Sequence, residues 1–377
     1  MKIVYVFRSL AIWGGIERVI IDKANRLANL GYDVSILTMD QGSHPIPYRV
    51  DSSVHIEDLN IRYHQQYYYK GLRRLWMRWR LQRLLVKCLR CRVEQLRPDV
   101  VVTVATDYAE FVISAVGNKS AVVVESHSIY RQTFTQQHHL ICCYRDWFKR
   151  RSLSVARMIV ALTEADAAEW RRHYPNVQYI PNIVNFNSNG RVGCYDMHRV
   201  IFVGRFDSQK RPELAIAIWQ RVQPLYPDWE LHIYGEGDRR ESVVEAASHA
   251  EGVVVHEPTS TIFEAYCNSA FLILTSLYEP FGLVMPEAMS CGLPIVAFDC
   301  PYGPRAIVTD GVDGFLVREG DEQEFADRMA QLMSDSDLCN RMGTAAIQVS
   351  QRYGASQIMP LWQQLFDGFS STSDSNL

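Results

Sequence analysis

The sequence predicts an α/β protein of two domains, each built on a parallel β-sheet with helices between its strands. Short apolar runs with the length of buried parallel strands recur along the chain, most clearly at residues 271–276 and 294–298. Helix-like segments separate these runs and end at glycines such as Gly31 and Gly292, a residue that helix C-termini favour. The 377 residues have room for two domains that each bury a core.

Composition excludes several classes of protein. A net charge of −3 and a pI near 6.4 argue against a nucleic-acid partner. Nine cysteines without regular spacing do not form a secreted disulfide framework. No apolar run approaches the roughly 20 residues that span a bilayer. The opening MKIVYVFRSLAIW is interrupted by Arg8 and predicts a first strand rather than a signal peptide. We therefore expect a cytoplasmic protein.

The first domain opens with a strand, a glycine loop and a helix. Residues 2–8 have a strand pattern, Gly14 and Gly15 form the loop, residues 16–30 are amphipathic, and residues 33–40 form the next strand. The loop lacks the G-x-G-x-x-G dinucleotide fingerprint. Adjacent glycines are equally typical of a tight turn and of a loop that lets a ligand approach the backbone.

Residues 62–92 are rich in aromatic and basic side chains. The segment GLRRLWMRWRLQRLLVKCLRCR carries eight Lys or Arg and no acid. Its apolar residues share one helical stripe, formed by Leu72, Leu75, Trp76, Trp79, Val86 and Leu89. Such a helix suits the surface of an anionic membrane, or it covers a sheet with its basic face in water. The sequence leaves both interpretations open.

Further strands are predicted at residues 99–104, 120–125 and 157–162. The second of these runs into ESHSIY, which puts His127 just past the carboxyl end of a strand, where ligands of α/β sheets bind. A loop histidine bonded only to backbone is the alternative. Thr163 is predicted to be a helix N-cap, and the polar residues 186–198 are predicted to link the domains.

The second domain repeats the pattern from residue 199. Strands are predicted at residues 200–203, 229–234 and 252–256, two helices at 321–351, and a last amphipathic helix at 355–369. The first strand runs into GRFDSQK, whose cations Arg205 and Lys210 suit a diphosphate. The second runs into Gly235-Glu236-Gly237, a weak signal by itself.

Two glutamates flank the turn that follows the strand at residues 271–276. Glu279 lies in the loop and Glu287 on the next helix, predicted at residues 283–291, with seven residues between them. Free N–H groups at that helix start favour an anion. Carboxylates repel phosphate and accept hydrogen bonds from sugar hydroxyls instead. The combination predicts a nucleotide sugar as the ligand, and the alternative is a βαβ unit with two surface glutamates.

The string EPFGLVMPEAMSCGLPIVAFD, followed by GPRAIVTDGVDGFLV, resembles the E-x7-E signature of the retaining family 4 glycosyltransferases. The resemblance implies the GT-B fold, in which two Rossmann-like domains face each other across a cleft. It implies an acceptor domain at residues 1–185, a nucleotide-sugar domain at residues 186–354, and a closing helix near 355–370 that crosses back to the first domain.

The resemblance also implies roles for particular residues. His127, Arg205, Lys210 and Glu279 would be catalytic. Donor-binding residues would be Gly15, Gly204, Arg205, Lys210, Gly235, Glu279, Phe281, Gly282, Leu283 and Glu287. Two positions depart from the family pattern. Ile183 replaces a glycine after Asn182, and Ala306 stands where relatives carry an acid.

By resemblance, the chain retains anomeric configuration while it moves a sugar, with UDP the expected carrier. A glycan or a lipid-linked saccharide would accept the sugar in surface-polysaccharide synthesis, and the 62–92 region could attach the protein to the inner membrane face. No metal or other cofactor is expected, since Asp335 and Asp337 lie between helices. The alternatives are a catalytically silent nucleotide-sugar-binding subunit and another GT-B enzyme, such as a sugar-nucleotide epimerase.

Overall fold

The structure is a computed structural model that describes residues 1–134, 140–185 and 192–370. Residues 186–191 of the predicted linker lie outside the described residues. The chain divides into two compact units, which are residues 1–183 with 359–377, and residues 184–358. The last helix, Ala355–Ser370, starts in the second unit and continues in the first.

The first unit contains seven parallel strands in the order β3-β2-β1-β4-β5-β6-β7. Central strands such as VVVTV are buried along their whole length, which explains their continuous apolar sequence. The elements in chain order are β1 Lys2–Phe7, α1 Gly15–Asn29, β2 Asp33–Thr38, β3 His55–Asp58, α2 Gly71–Leu96, β4 Val100–Val104, α3 Ala109–Val116, β5 Ala121–Ser126, α4 Tyr130–Thr133, α5 Leu140–Leu153, β6 Met158–Ala161, α6 Glu164–Arg171 and β7 Val177–Tyr179.

The second unit contains six parallel strands in the order β10-β9-β8-β11-β12-β13. Its core is formed by apolar residues of these strands together with apolar residues of helices such as Pro212–Val222 and Glu322–Ser334. The elements are β8 Arg199–Val203, α7 Pro212–Val222, β9 Glu230–Tyr234, α8 Arg240–Ser248, β10 Val253–His256, α9 Ile262–Cys267, β11 Phe271–Leu274, α10 Val284–Ser290, β12 Ile295–Phe298, α11 Gly303–Ile307, β13 Gly314–Val317, α12 Glu322–Ser334, α13 Ser336–Ser350 and α14 Ala355–Ser370.

The predicted α/β class is confirmed, and several local predictions are confirmed with it. Thr163 caps α6, because its hydroxyl accepts a hydrogen bond from the N–H of Asp166 at 3.2 Å. Gly31 follows α1 with a φ of +90°, a conformation that glycine adopts without strain. Strands β3 and β7 were not predicted. Both lie at sheet edges, and β3 carries the polar residues of HIED, so the apolar signal of a buried strand is missing.

Helix α2 divides into two halves with different surroundings. Leu81, Leu85, Leu89 and Val93 are buried in the core cluster that also contains strand residues such as Val101. In the first half, Leu72 is 83% exposed and Trp76 56% exposed, and Leu75 and Trp79 are exposed as well. The sheet-covering interpretation therefore holds for the second half only, and the aromatic basic half that precedes it leaves its apolar side chains in solvent.

Candidate active site

The order of strands locates the candidate site of the second unit. Strands β8 and β11 are neighbours, while β9 lies on one side of them and β12 on the other. The direction of the chain along the sheet reverses between β8 and β11. Ligands of open α/β sheets bind beyond the carboxyl ends of the strands at such a point. The loop after β8 carries Arg205 and Lys210, and the loop after β11 carries Glu279.

Asp207 shapes the loop after β8. Its Oδ1 accepts hydrogen bonds from the backbone N–H groups of Gln209 at 3.0 Å and Lys210 at 2.9 Å. Its Oδ2 accepts one from Nε of Arg205 at 2.8 Å. The turn holds both cations, and it leaves the side chain of Arg205 65% exposed, so this guanidinium remains open to an anion.

Glu279 connects the loop after β11 to the loop after β8. Lys210 Nζ donates a hydrogen bond to Glu279 Oε1, and Ser276 Oγ donates to the same oxygen at 2.6 Å. The backbone joins the loops as well, since Leu277 N donates to Gln209 O at 2.7 Å. Glu279 is buried. Within the described residues, its other oxygen Oε2 accepts no hydrogen bond from the protein.

Two predicted glycines occupy places where a side chain would not fit. A Cβ on Gly235 would lie 1.9 Å from the carbonyl oxygen of Gly204. Gly282 has a φ of +86°, and a Cβ there would lie 2.6 Å from Met285. Gly204 is less crowded, because its nearest neighbour would be the Lys210 side chain at 3.4 Å. Gly235 and Gly282 therefore set the backbone path of their loops.

The remaining predicted donor residues lie around α10. Glu287 is a buried residue of this helix, and Tyr266 Oη donates a hydrogen bond to its Oε2 at 3.3 Å. Phe281 is buried too and packs its ring edge-on against Tyr353, with centroids 5.2 Å apart. Leu283 precedes the helix and is half-buried. The Phe281 side chain belongs to the core of the unit, and only its backbone can reach a ligand.

In the first unit, the predicted glycine loop starts α1. Gly14 is the N-cap and Gly15 the first helical residue. A Cβ on Gly14 would lie 2.1 Å from the carboxylate of Glu17, the end of a flexible side chain that can move aside. Tyr48 Oη donates to the carbonyl of Gly14 at 3.0 Å. The hydrogen bond from Tyr48 helps to hold the loop. Donor binding by Gly15 stays a prediction.

His127 lies beyond the carboxyl end of β5 and is not a simple loop histidine. Its Nε2 is 2.8 Å from Oε2 of Glu125, the fifth residue of β5. Lys23 of α1 donates from Nζ to the same oxygen. Both Lys23 and Glu125 are 1% exposed. The three side chains form a buried chain of polar contacts that we call the Lys23 cluster.

Charge pairing decides the protonation of the Lys23 cluster. Burial opposes the charge on Glu125, but the ammonium of Lys23 and the contact with His127 lower the pKa of Glu125 to about 2. Burial lowers the pKa of Lys23, and the charge of Glu125 opposes that shift. Burial, together with the charge of Glu125, raises the pKa of the neighbouring Tyr5. Glu125 is therefore the anion of the cluster.

Sequence reasoning missed Lys23, Glu125 and Ser276. Two signals point to the first two residues. Lys23 occurs on the apolar face of an amphipathic helix, and Glu125 interrupts the buried run AVVVES. A charge in either place requires a partner. No pattern identified Ser276, because a serine next to a strand end is common.

Asp335 is accounted for by helix capping. Its side chain accepts a hydrogen bond from the N–H of Leu338 at 2.8 Å, so it caps α13. Across residues 1–134, 140–185 and 192–370, no group of three or more His, Cys, Asp or Glu side chains is arranged to hold a metal ion. Metal independence stays a prediction.

Comparison with known proteins now defines the class and the family. A similar fold is that of the S. aureus TarM G117R mutant, solved with UDP, alpha-GlcNAc-glycerol and fondaparinux, at a TM-score of 0.76 and 15% identity over 97% of this chain and 99% of that one. The chain therefore has the GT-B fold. Family models described as "Glycosyltransferase Family 4" and "Glycosyl transferases group 1" match residues 13–188 and 196–349.

Two relatives match along nearly their whole length. An uncharacterized glycosyltransferase of Haemophilus influenzae is 28% identical over 96% of this chain and 99% of its own. The amylovoran biosynthesis glycosyltransferase AmsD of Erwinia amylovora is 25% identical over 97% and 99%. The chain belongs to the group 1, family 4 glycosyltransferases, and it is an enzyme that transfers glycosyl groups.

Proposed function

We propose that this enzyme transfers a sugar from a UDP-sugar to a glycan or lipid-linked saccharide, with retention of anomeric configuration. The observation that carries the proposal is the set of contacts among Lys210, Glu279 and Ser276 where β8 and β11 end, next to the exposed Arg205. A cation pair for a diphosphate and a carboxylate for sugar hydroxyls occur there together. The complex of TarM with UDP supports this choice of carrier.

Each of the four predicted polar residues of the second unit has a part in donor binding in this proposal. Arg205 and Lys210 bind the diphosphate and stabilise the charge that develops as it leaves. Glu279 accepts hydrogen bonds from the sugar through Oε2, and Glu287 accepts them from the ribose. Gly204, Gly235, Gly282 and Leu283 supply backbone next to the ligand. The first unit binds the acceptor, with His127 at the reacting groups.

The reaction replaces one bond with another on the same face of the sugar. The bond from the anomeric carbon to the diphosphate oxygen breaks, and a bond from that carbon to the acceptor hydroxyl oxygen forms. The departing phosphate takes the acceptor proton. NMR of the product should show the anomeric configuration of the donor, and trapping of a covalent glycosyl-enzyme would contradict this front-face course.

We also propose a surface on the first unit that attaches to anionic membranes. It consists of Leu72, Leu75, Trp76 and Trp79, which are exposed, and of the arginines between them. Helix α5 adds exposed Tyr144 and Trp147, stacked 5.9 Å apart. Burial, and then the charge of nearby Arg145 on α5, lower the pKa of Arg78 on α2, which supports one joint basic surface. Aromatic rings and arginines suit the headgroup region.

Attachment can be tested without knowledge of the substrate. Among the described residues no helix is long and apolar enough to cross a bilayer, so binding would be peripheral. The protein should float with vesicles containing anionic lipid, less so at high salt, and not with purely zwitterionic vesicles. Trp76→Ser with Trp79→Ser should abolish flotation and leave donor binding intact. Equal flotation of this variant would overturn the proposal.

Metal independence is part of the same proposal, because two cations take the place of a metal at the diphosphate. Turnover in excess EDTA should match turnover in added Mg²⁺. Strict dependence on Mg²⁺ or Mn²⁺ would contradict it.

The experiment that tests the donor site is a thermal-shift panel of UDP, GDP, ADP and their common sugars, on wild type and Glu287→Ala. A ligand that binds only the folded protein at 100 times its Kd adds about 2.7 kcal/mol of stability. We expect a shift with UDP compounds that weakens in the variant. A shift that is equal in the variant would remove Glu287 from the site. Binding without turnover for every donor would favour a silent binding subunit.

A further inference from the structure

We propose that Lys23 and Glu125 are positioning residues, which hold the ring of His127 in one orientation and one tautomer for glycosyl transfer. This inference rests on the proposed function, in which His127 lies at the reacting groups. It adds Lys23 of α1 and Glu125 of β5 to the residues that support catalysis, and neither belongs to the glutamate motif of the second unit. They act through His127.

Contacts at Nε2 hold the ring of His127 in place. Its Nε2 is 2.8 Å from Glu125 Oε2, and His127 is 8% exposed. Glu125 is itself held, because Lys23 Nζ donates to the same oxygen. Lys23 in turn lies 4.2 Å from the centre of the Trp362 ring of α14. Helix α1, strand β5 and helix α14 thus all restrain one imidazole.

The charge of Glu125 determines which nitrogen of His127 carries a proton. A carboxylate accepts hydrogen bonds and donates none, so Nε2 must be the protonated nitrogen that faces it. In neutral His127 the other nitrogen, Nδ1, is then an acceptor, and within the described residues it makes no hydrogen bond to protein. Carboxylates orient histidines in the same way at metal and acyl-transfer sites.

A purely structural role explains the cluster poorly. Buried ion pairs are often matched in stability by apolar residues of similar volume. Hydrogen bonding around this pair is also incomplete. Glu125 Oε1 and the neighbouring Tyr5 Oη and Trp362 Nε1 are buried without a hydrogen-bond partner among the described residues. A polar arrangement that costs stability at the carboxyl edge of a sheet is typical of a functional site.

Other charged groups near the ring belong to the same edge of the sheet. Asp107, after β4, interacts electrostatically with His127, with Arg8 after β1 and with Lys149 of α5. Tyr5 interacts with Glu125. None of these groups contacts Nε2 in the described residues, so Glu125 alone sets the tautomer.

The test replaces the pair by apolar residues, so that neither charge is left buried alone. In Lys23→Met with Glu125→Leu, Nε2 of His127 loses its acceptor, and the ring should change to the Nδ1–H tautomer. ¹⁵N spectra of histidine side chains, assigned with His127→Gln, report the tautomer directly. Glu125→Gln keeps an acceptor oxygen and removes the charge, so the tautomer should stay. The control is Glu230→Leu, which removes the carboxylate 2.9 Å from Nε2 of His232.

Turnover is measured as UDP release from the UDP-sugar that stabilises the protein most. The double variant should fold, keep its donor Kd and lose about 10²–10⁴-fold in kcat, the range of general acid–base contributions. Glu125→Gln should lose less, and Glu230→Leu nothing. A folded double variant with wild-type kcat, or one with an unchanged His127 tautomer, overturns the proposal. If wild type releases no UDP from any donor, the proposed function fails, while the ¹⁵N spectra still decide the role of Glu125 in setting the tautomer.

Discussion

The two units contain the same pairing of a buried glutamate with a lysine, but the lysine is more exposed in the second unit. In each, a glutamate near the carboxyl end of a parallel strand accepts hydrogen bonds at one oxygen from a lysine and from a second donor. The donors are Lys23 and His127 for Glu125, and Lys210 and Ser276 for Glu279. The second oxygen of Glu125 is buried without a partner. Both glutamates are buried, but the side chain of Lys210 is 13% exposed and that of Lys23 only 2%.

This difference separates two uses of one arrangement. In the proposed function Glu279 contacts the substrate itself, and Lys210, whose side chain is 13% exposed, binds an anion. Glu125 is enclosed, and we propose that its charge acts on a substrate only through His127. A lysine–glutamate pair near the carboxyl end of a strand can therefore serve more than one function. We propose that the exposure of the lysine, 13% for the Lys210 side chain and 2% for the Lys23 side chain, separates a carboxylate that binds substrate from one that positions another residue.

Asp166 shows what a buried carboxylate does without a lysine. Its partners are the N–H of Tyr130 at 2.8 Å and Nε1 of Trp170 at 3.1 Å. Burial, which these neutral donors offset only in part, raises its pKa to about 6. Glu125, with Lys23, has its pKa lowered to about 2. The ammonium of Lys23 therefore separates Glu125 from Asp166, which has no cation among its hydrogen-bond partners.

The largest expected effect is on stability, and it distinguishes the two lysines. Lys23→Ala leaves Glu125 buried and unpaired, which should lower the free energy of unfolding by about 3–5 kcal/mol. Lys210→Ala should cost less, because the side chain of Lys210 is 13% exposed and water can take its place beside Glu279. Urea unfolding of both variants measures the difference. Equal losses would mean that the two carboxylates are equally enclosed.

The next largest effect is on kcat, and it distinguishes Lys210 from a control lysine outside the site. Lys210→Ala removes a cation from the departing diphosphate, and kcat should fall by about 10²–10³-fold. Lys119→Ala breaks an exposed pair with Glu94 by the same chemical change, and kcat should not move. The assay is UDP release at saturating donor. A Lys210→Ala enzyme with normal kcat would remove this residue from the chemistry.

The pH dependence of Asp166 tests the role of the cation. Because its folded pKa is raised from 3.8 to about 6, its contribution to stability is full below pH 3.8 and is lost as the pH rises through 6. Asp166→Asn does not titrate. From pH 4 to pH 7 the stability of wild type relative to this variant should therefore fall by about 2–3 kcal/mol. A constant difference in unfolding free energy would show that folding does not raise the pKa of Asp166.

The smallest effect concerns the second donor to Glu279. Ser276→Ala removes a hydrogen bond to a charged group, and such bonds contribute about 1.5–3 kcal/mol. We expect about a 10-fold loss in kcat/KM, because Lys210 still holds the carboxylate. Ser154→Ala, at an exposed hydroxyl bonded to the carbonyl of Arg151, is the matched control and should leave kcat/KM unchanged. A loss as large as that of Lys210→Ala would mean that Ser276 alone orients Glu279.

Local patterns predicted much of the fold and part of the site. The run from residue 271 to 317 contains buried strands, a helix with its terminal glycine, and two glutamates. Each of these features is determined by residues close together in the sequence, so it could be predicted. The G-R-x4-K spacing is equally local, and the structure places Arg205 and Lys210 in one turn around Asp207. Strands β3 and β7 escaped prediction because their pairing, rather than their apolar content, makes them strands.

The sequence by itself determined the α/β class, the strand ends that carry the candidate residues, and the presence of a basic aromatic helix. Only the tertiary structure decided that Lys23 meets Glu125 across 102 positions, and that half of α2 is buried while half is exposed. The physical reason is the range of the interactions. Helix periodicity, turns and caps depend on residues a few positions apart, whereas ion pairing and burial depend on which distant segments the packed sheet brings together.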